Sequence, residues 1–144
     1  MKVHSNELTT PELKQHIAEE LTGNILPFWM THLIDKVHGG FYGALTNDLQ
    51  VRNYVPRSST LCARLLWTYA TAYRRFGNEE YLETARWAYD YLITVFWDTE
   101  HGGLYWDVDY TGKPVFDRKH HYAQGFGIYG LSEYYQATQE PQSL

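Results

Sequence analysis

The chain has a single cysteine, Cys62, among 144 residues. A lone thiol excludes an intramolecular disulfide and fits a reducing compartment. Positive charge is scarce: 12 Lys and Arg face 17 Asp and Glu, for a net charge of −5. No basic stripe is available to a phosphate backbone, so nucleic acid is not an expected partner. Long apolar runs are also missing. None approaches the roughly 20 residues that cross a bilayer, so no membrane partner is expected. The opening MKVHSNELTT lacks the apolar stretch of a secretory signal. Together these absences predict a soluble, cytoplasmic protein of one domain's length.

Aromatic residues are abundant. They make up 17% of the chain, with 13 Tyr and 5 Trp. Tyr and Trp join a large apolar body to a polar tip, which suits either an aromatic-rich helical core or a cleft for a half-polar ligand such as a sugar.

The helix signals are local. Thr10, as the capping hydroxyl, with Pro11 and Glu12 forms an N-terminal start, and Leu13, Ile17 and Leu21 repeat every four residues after it. Pro27 cannot donate to the carbonyl of Gly23, so a kink or a broken pair of helices is expected there. A second helix is predicted from about Ser58, capped by Ser58 or Ser59, to Phe76, ended by Gly77. Its interior LCARLLWTYATAY is apolar nearly all round, as in a helix buried on several sides. Asn78 caps a third helix with the stripe Leu82, Ala85, Tyr89, Leu92, Ile93 and Phe96. A β-hairpin is read near 104–117, turning at Thr111-Gly112-Lys113. A fourth helix runs from about Lys119 to Thr138. Its Gly125, Gly127 and Gly130 weaken it by up to about 1 kcal/mol each, a cost that close packing or ligand approach could offset.

One pattern organises these elements. DKVHGGFYG at 35–43 recurs as DTEHGGLYW at 98–106, 63 residues on. Each copy follows an amphipathic helix and precedes a largely apolar one. This is the signature of stacked helical hairpins, with repeat units of about 10–77 and 78–139 and a third opening at Pro141. The fold class is therefore all-α. Such hairpins expose inner-helix surface at an open edge, which predicts self-association.

The candidate chemistry can be weighed residue by residue. His38 and His101 each follow an Asp by three residues, but no HxxxH or HExxH pattern exists, and neighbouring His120 and His121 point about 100° apart on a helix, so no metal site is expected. The glycine pairs supply positive φ where a helix ends, and Asp35 and Asp98 suit Asx turns that accept loop N–H groups. Arg64 interrupts an apolar helix. It is either half of a buried ion pair, with Asp107, Asp109 or Glu133, or a donor aimed into a polar cleft. Tyr122 is either a core Tyr bonded to a carbonyl or a sugar contact. Asp107 and Asp109 form a carboxylate pair that could serve glycoside cleavage, though nothing in their spacing demands it. No nucleophile motif or phosphate loop is found, and Cys62 has no base beside it.

Five segments together, NILPFW (24–29), DKVHGGFYG (35–43), RLLWTYATAY (64–73), HGGLYWDVDYTGKP (101–114) and KHHYAQGFGIYGLSEYY (119–135), resemble the N-terminal part of the N-acylglucosamine 2-epimerase superfamily. The cellobiose 2-epimerase branch is the most similar. The resemblance implies an (α/α)6 barrel, of which this chain would be the N-terminal portion. It implies inversion at C2 of a reducing-end aldose such as cellobiose or N-acetylglucosamine, through an enediol, with no metal or redox cofactor. It also implies that Arg64 and Tyr122 contact the sugar. The family's proton-transferring histidines would lie downstream of Leu144, so no catalytic residue is assigned within the chain.

Overall fold

The computed structural model describes residues 9–116 and 118–143. The chain divides into two units, Met1–Leu33 and Ile34–Leu144.

The first unit is helical. Its α1 (Thr10–Glu20) continues through a π-helical turn (Leu21–Ile25) into α2 (Leu26–His32). The cap lies one residue earlier than expected. The Thr9 N–H and hydroxyl both donate to the Glu12 carboxylate, at 2.8 and 2.7 Å. The expected break at Gly23 and Pro27 is instead a π turn. The Leu26 N–H bonds back to the Leu21 carbonyl five residues away, so the wider turn keeps the helix running into the residue that has no N–H to give.

The second unit carries three long helical stretches. α3 (Ser59–Phe76) packs against both α4 (Glu79–Tyr91) and α5 (His121–Thr138). A π turn, Leu92–Phe96, extends α4, and a 3-10 turn, Pro141–Ser143, follows α5. The predicted caps at Gly77 (φ 68°) and Asn78 are present, the Asn78 side chain accepting from the Glu80 N–H at 3.0 Å. Ser58 is the N-cap residue of α3, but its side chain makes no capping bond, and the Ser59 hydroxyl donates to the Trp106 carbonyl at 3.0 Å. Tertiary structure has drawn that hydroxyl away from the helix end.

The core lies between these helices. Leu66 and Tyr69 of α3, Ala85 and Leu92 of the α4 stretch and Tyr134 of α5 are buried. Tyr89 stacks on Tyr134 at 4.6 Å, and burial pushes the Tyr134 hydroxyl up to about 12. Two of the α5 glycines answer to packing. A Cβ on Gly127 would stand 2.5 Å from Leu104, and one on Gly130 would stand 2.6 Å from the Ala63 carbonyl oxygen of α3.

The 63-residue repeat reappears as backbone geometry. Ile34 bridges Phe41 as Trp97 bridges Leu104, and Leu45 bridges Val51 as Val108 bridges Pro114. The hairpin read near 104–117 is thus a tight turn within 108–114, its residue 117 lying outside the described residues. It has a counterpart at 45–51. The two-residue strands β1 (Arg57–Ser58) and β2 (Asp107–Val108) pair antiparallel, an inter-repeat ladder the sequence pattern did not reveal.

Candidate functional site

The DxxHGG loops are structural clasps. Asp35 accepts the N–H groups of Val37 and His38 at 2.9 and 3.1 Å, and Asp98 accepts those of Glu100 and His101 at 2.9 and 3.1 Å. All four glycines have positive φ, between 65° and 81°. Each aspartate also holds a cation that pattern reading missed. Arg57 bonds Asp35 and the Gly39 carbonyl, and Lys119 bonds Asp98 (2.6 Å) and the Gly102 carbonyl. The signal was a basic residue 22 or 21 positions after the Asp. Burial alone would raise the Asp35 carboxyl, but hydrogen bonds from His38, Arg57 and Val37 outweigh it and hold it below the ordinary range. Lys119 is the main cause that holds Asp98 still lower. Among the described residues, no group of three His, Cys, Asp or Glu side chains could hold a metal ion.

Arg64 differs from its buried-ion-pair reading. It is exposed, and its guanidinium carbon lies 5.7 Å over the Phe126 ring. Glu133, a proposed partner, bonds Arg74 instead at 2.5 Å. The apolar residues around Arg64 in sequence occupy other faces of α3: Ala63, Leu65 and Leu66 are buried, while position 64 turns outward. Tyr122 is not a core tyrosine either. It is 60% exposed, its ring 4.8 Å from Phe126 and 6.4 Å from Trp106. Asp109 is taken up by its turn, accepting the N–H groups of Thr111 and Lys113 and the Thr111 hydroxyl, and the Thr111 bond leads in lowering its carboxyl. That leaves Asp107 without a carboxylate partner in role, which disfavours the glycoside-cleavage pair.

The structure brings Arg64 and Tyr122 to one aromatic wall. Tyr122, Gly125, Phe126 and Tyr129 line an open hollow of about 460 Å³. Their spacing of three or four residues puts them on one face of α5. Tyr129 stacks on Trp67 of α3 at 5.0 Å and 14°. At the other end the His120 ring lies 4.5 Å from Trp106. Trp67, Trp106, Phe126 and Tyr129 were missed as site candidates. The stripe at 122, 126 and 129 was legible as helical spacing, whereas Trp67 and Trp106 join it only through tertiary packing. Gly125 departs from its two neighbouring glycines: a Cβ there would meet no protein atom within 4 Å.

This wall can do what a carbohydrate site does. Flat rings accept the apolar faces of a sugar, and a cation and a phenol address its hydroxyls. Comparison with known proteins places the chain among sugar epimerases by sequence and fold. A cellobiose 2-epimerase of Bacteroides fragilis is 48% identical over 132 residues, which are 92% of this chain and 34% of that protein. The N-acylglucosamine 2-epimerase of Rattus norvegicus is 34% identical over 84 residues, 56% of this chain and 20% of that protein. The solved structure of the cellobiose 2-epimerase from Bacillus thermoamylovorans B4167 superposes with a TM-score of 0.87 at 42% identity, over 91% of this chain and 34% of that one. The chain thus spans about a third of the length of these cellobiose epimerases, and its helical hairpins are those from which the (α/α)6 barrels of such enzymes are built. Residues 39–143 match the N-acylglucosamine 2-epimerase (GlcNAc 2-epimerase) family, and the chain belongs to that family.

Proposed function

We propose that this chain forms the sugar-binding wall of a sugar 2-epimerase, which inverts C2 of a reducing-end aldose such as cellobiose or N-acetylglucosamine. The observation that carries this reading is the exposed Arg64 guanidinium over the aromatic hollow of α5. Arg64 donates to the oxygens at the reacting end of the opened sugar, where enediolate charge develops. Tyr122 hydrogen-bonds a hydroxyl of the same ring. Gly125 supports the reading, because a helix-weakening residue with open space above it leaves room for a ligand against the backbone.

Epimerisation removes the C2 proton to give an enediol and returns it on the opposite face. That needs two groups that titrate near neutrality, one on each face. By the family resemblance, the proton-transferring histidines are expected outside residues 1–144. The chain by itself therefore binds sugar without turning it over, and a complete six-hairpin ring supplies the bases. The lone Cys62, a free thiol that donates to the Ala88 carbonyl at 3.3 Å, supports a reducing, cytoplasmic setting. No described helix is long and apolar enough to cross a membrane.

A second reading is a non-catalytic helical-repeat module that binds sugar or protein. The exposure of Ile128 and Tyr129 on α5 favours it, and the same surface supports self-association. Calorimetric titration with cellobiose tests the site. Binding that disappears in Arg64→Ala is expected, and binding unchanged in that variant removes the assigned role. Epimerisation of cellobiose by this chain alone would refute the missing-base argument.

A further inference from the structure

The Trp106 end of the wall carries a group that the fold does not use. The carbonyl of Trp106 accepts both the N–H (3.1 Å) and the hydroxyl (3.0 Å) of Ser59, which pins residue 106 over the first turn of α3. The next residue, Asp107, pairs with Ser58 in the β1–β2 ladder, and its own carbonyl accepts the Val115 N–H at 3.0 Å. Strand alternation then separates two side chains. Val108 is fully buried, and Asp107 points to the opposite face, half-buried. No described donor hydrogen-bonds the Asp107 carboxylate. Burial raises its carboxyl above the ordinary range, and the charge of His120 opposes this only in part.

The other aspartates of the repeat motif and its hairpin are saturated with donors, as Asp35, Asp98 and Asp109 show. A half-buried carboxylate left without donors is costly unless water or a ligand hydroxyl serves it. Its surroundings fit a ligand hydroxyl. The carboxylate lies within reach of the His120 charge, and the His120 ring stands 4.5 Å from that of Trp106, itself 6.4 Å from Tyr122, so His120 links Asp107 to the end of the aromatic wall that Tyr122 opens. Among the described residues Arg64 lies over Phe126 and does not pair with Asp107.

We propose that Asp107 is a further sugar-binding residue of this wall, its carboxylate accepting hydrogen bonds from hydroxyls of a sugar ring seated on Trp106. The proposal rests on the sugar-site reading above. It divides the labour along the wall: Arg64 faces the ring at Phe126, and Asp107 fixes the ring, or the part of it, at Trp106. Specificity for hydroxyl pattern then comes from Asp107, since an acceptor-only group discriminates by where donors are presented.

Titration of the full chain with cellobiose tests this. Asp107→Asn, which keeps shape and backbone bonds, should weaken binding at least tenfold with an unchanged thermal midpoint. Asp107→Glu, which restores a carboxylate, should recover part of the loss. Full affinity in Asp107→Asn, alongside lost binding in Arg64→Ala, overturns the role of Asp107 and leaves the sugar site standing. Equal weakening in both Asp107 variants with a lowered midpoint also overturns it, because the effect is then packing. No binding of cellobiose by the unaltered chain removes the site and the inference together.

Discussion

The two glycine loops share a backbone and differ in how they are closed. At 35–40 the clasp is buried: the Asp35 and Arg57 side chains are 1% and 3% exposed. At 98–103 the cation is Lys119, 25% exposed, and His101 is 3.5 Å from Asp98 where His38 is 3.1 Å from Asp35. The first loop is walled by the Tyr91 ring, and the Trp87 indole N–H donates to the Gly40 carbonyl at 2.8 Å. In the second, Gly102 is open, and Gln124 bonds both the N–H and the carbonyl of Leu104 at 2.8 Å. The same turn can therefore be fixed by a deep ion pair under aromatic cover or by a solvated lysine and an amide clamp. The second solution ties the loop to the first turns of α5, beside Tyr122.

Removing one partner of each clasp should separate them most. Asp35→Ala leaves the Arg57 guanidinium buried and unpaired, an expected loss of about 3–5 kcal/mol. Asp98→Ala should cost distinctly less, because Lys119 can turn to water. Chemical denaturation of both variants measures the difference, and equal losses would abolish the contrast.

Alanine in the glycine positions comes next. Gly40→Ala forces φ 65° on a residue whose Cβ would stand 2.5 Å from the Tyr91 ring, and left-handed strain plus overpacking predict a loss of about 3 kcal/mol. Gly102→Ala at φ 70° meets no atom within 4 Å and should cost about 1–2 kcal/mol, from strain alone. Thermal melts of the two variants check the ranking.

Acid should act on both loops. Asp35 and Asp98 are held below their unfolded values, so their contribution is present above the ordinary carboxylate range and is lost as pH falls through the lowered values. Stability is expected to decline on acidification below about pH 4, and Asp98→Asn should flatten that decline. An unaltered slope in the variant would contradict the assignment.

The smallest contrast lies in the hairpins. Leu49 holds φ 63° where the second repeat has Gly112 at φ 87°. Leu49→Gly relieves left-handed strain but adds unfolded-state freedom, for a net gain of about 0.5 kcal/mol. A destabilised Leu49→Gly variant would show that the leucine side chain matters more than its backbone.

Much of this architecture could be read from residue order. The repeat spacing located both loops, and the αL glycines, the Asx aspartates and the Asn78 cap followed from local chemistry that needs only neighbours in the chain. The stripe of the α4 stretch marked its buried face at Leu82, Ala85, Tyr89, Leu92 and Phe96, whereas Leu13 and Ile17 of the α1 stripe are exposed. Arg64 and Tyr122 were named, but with their surroundings undecided. An arginine among leucines looks buried in a one-dimensional string, and only the winding of α3 showed that position 64 turns outward. The cations of the clasps lie about 20 residues from their aspartates, beyond the range of any turn signal. Trp67 and Trp106 come to the wall from separate elements.

By itself the sequence determined much of the local geometry: the helix boundary at Gly77 and Asn78, where the chain reverses, and that the reversal occurs twice. These depend on backbone sterics and on hydrogen bonds between residues a few positions apart. The tertiary structure alone decided which side chains meet. It buried Arg57 on Asp35, drew the Ser59 hydroxyl to Trp106, left Arg64 exposed over Phe126 and left Asp107 without a donor among the described residues. Such outcomes turn on contacts between residues far apart in the chain, and burial and desolvation are set only when the helices pack.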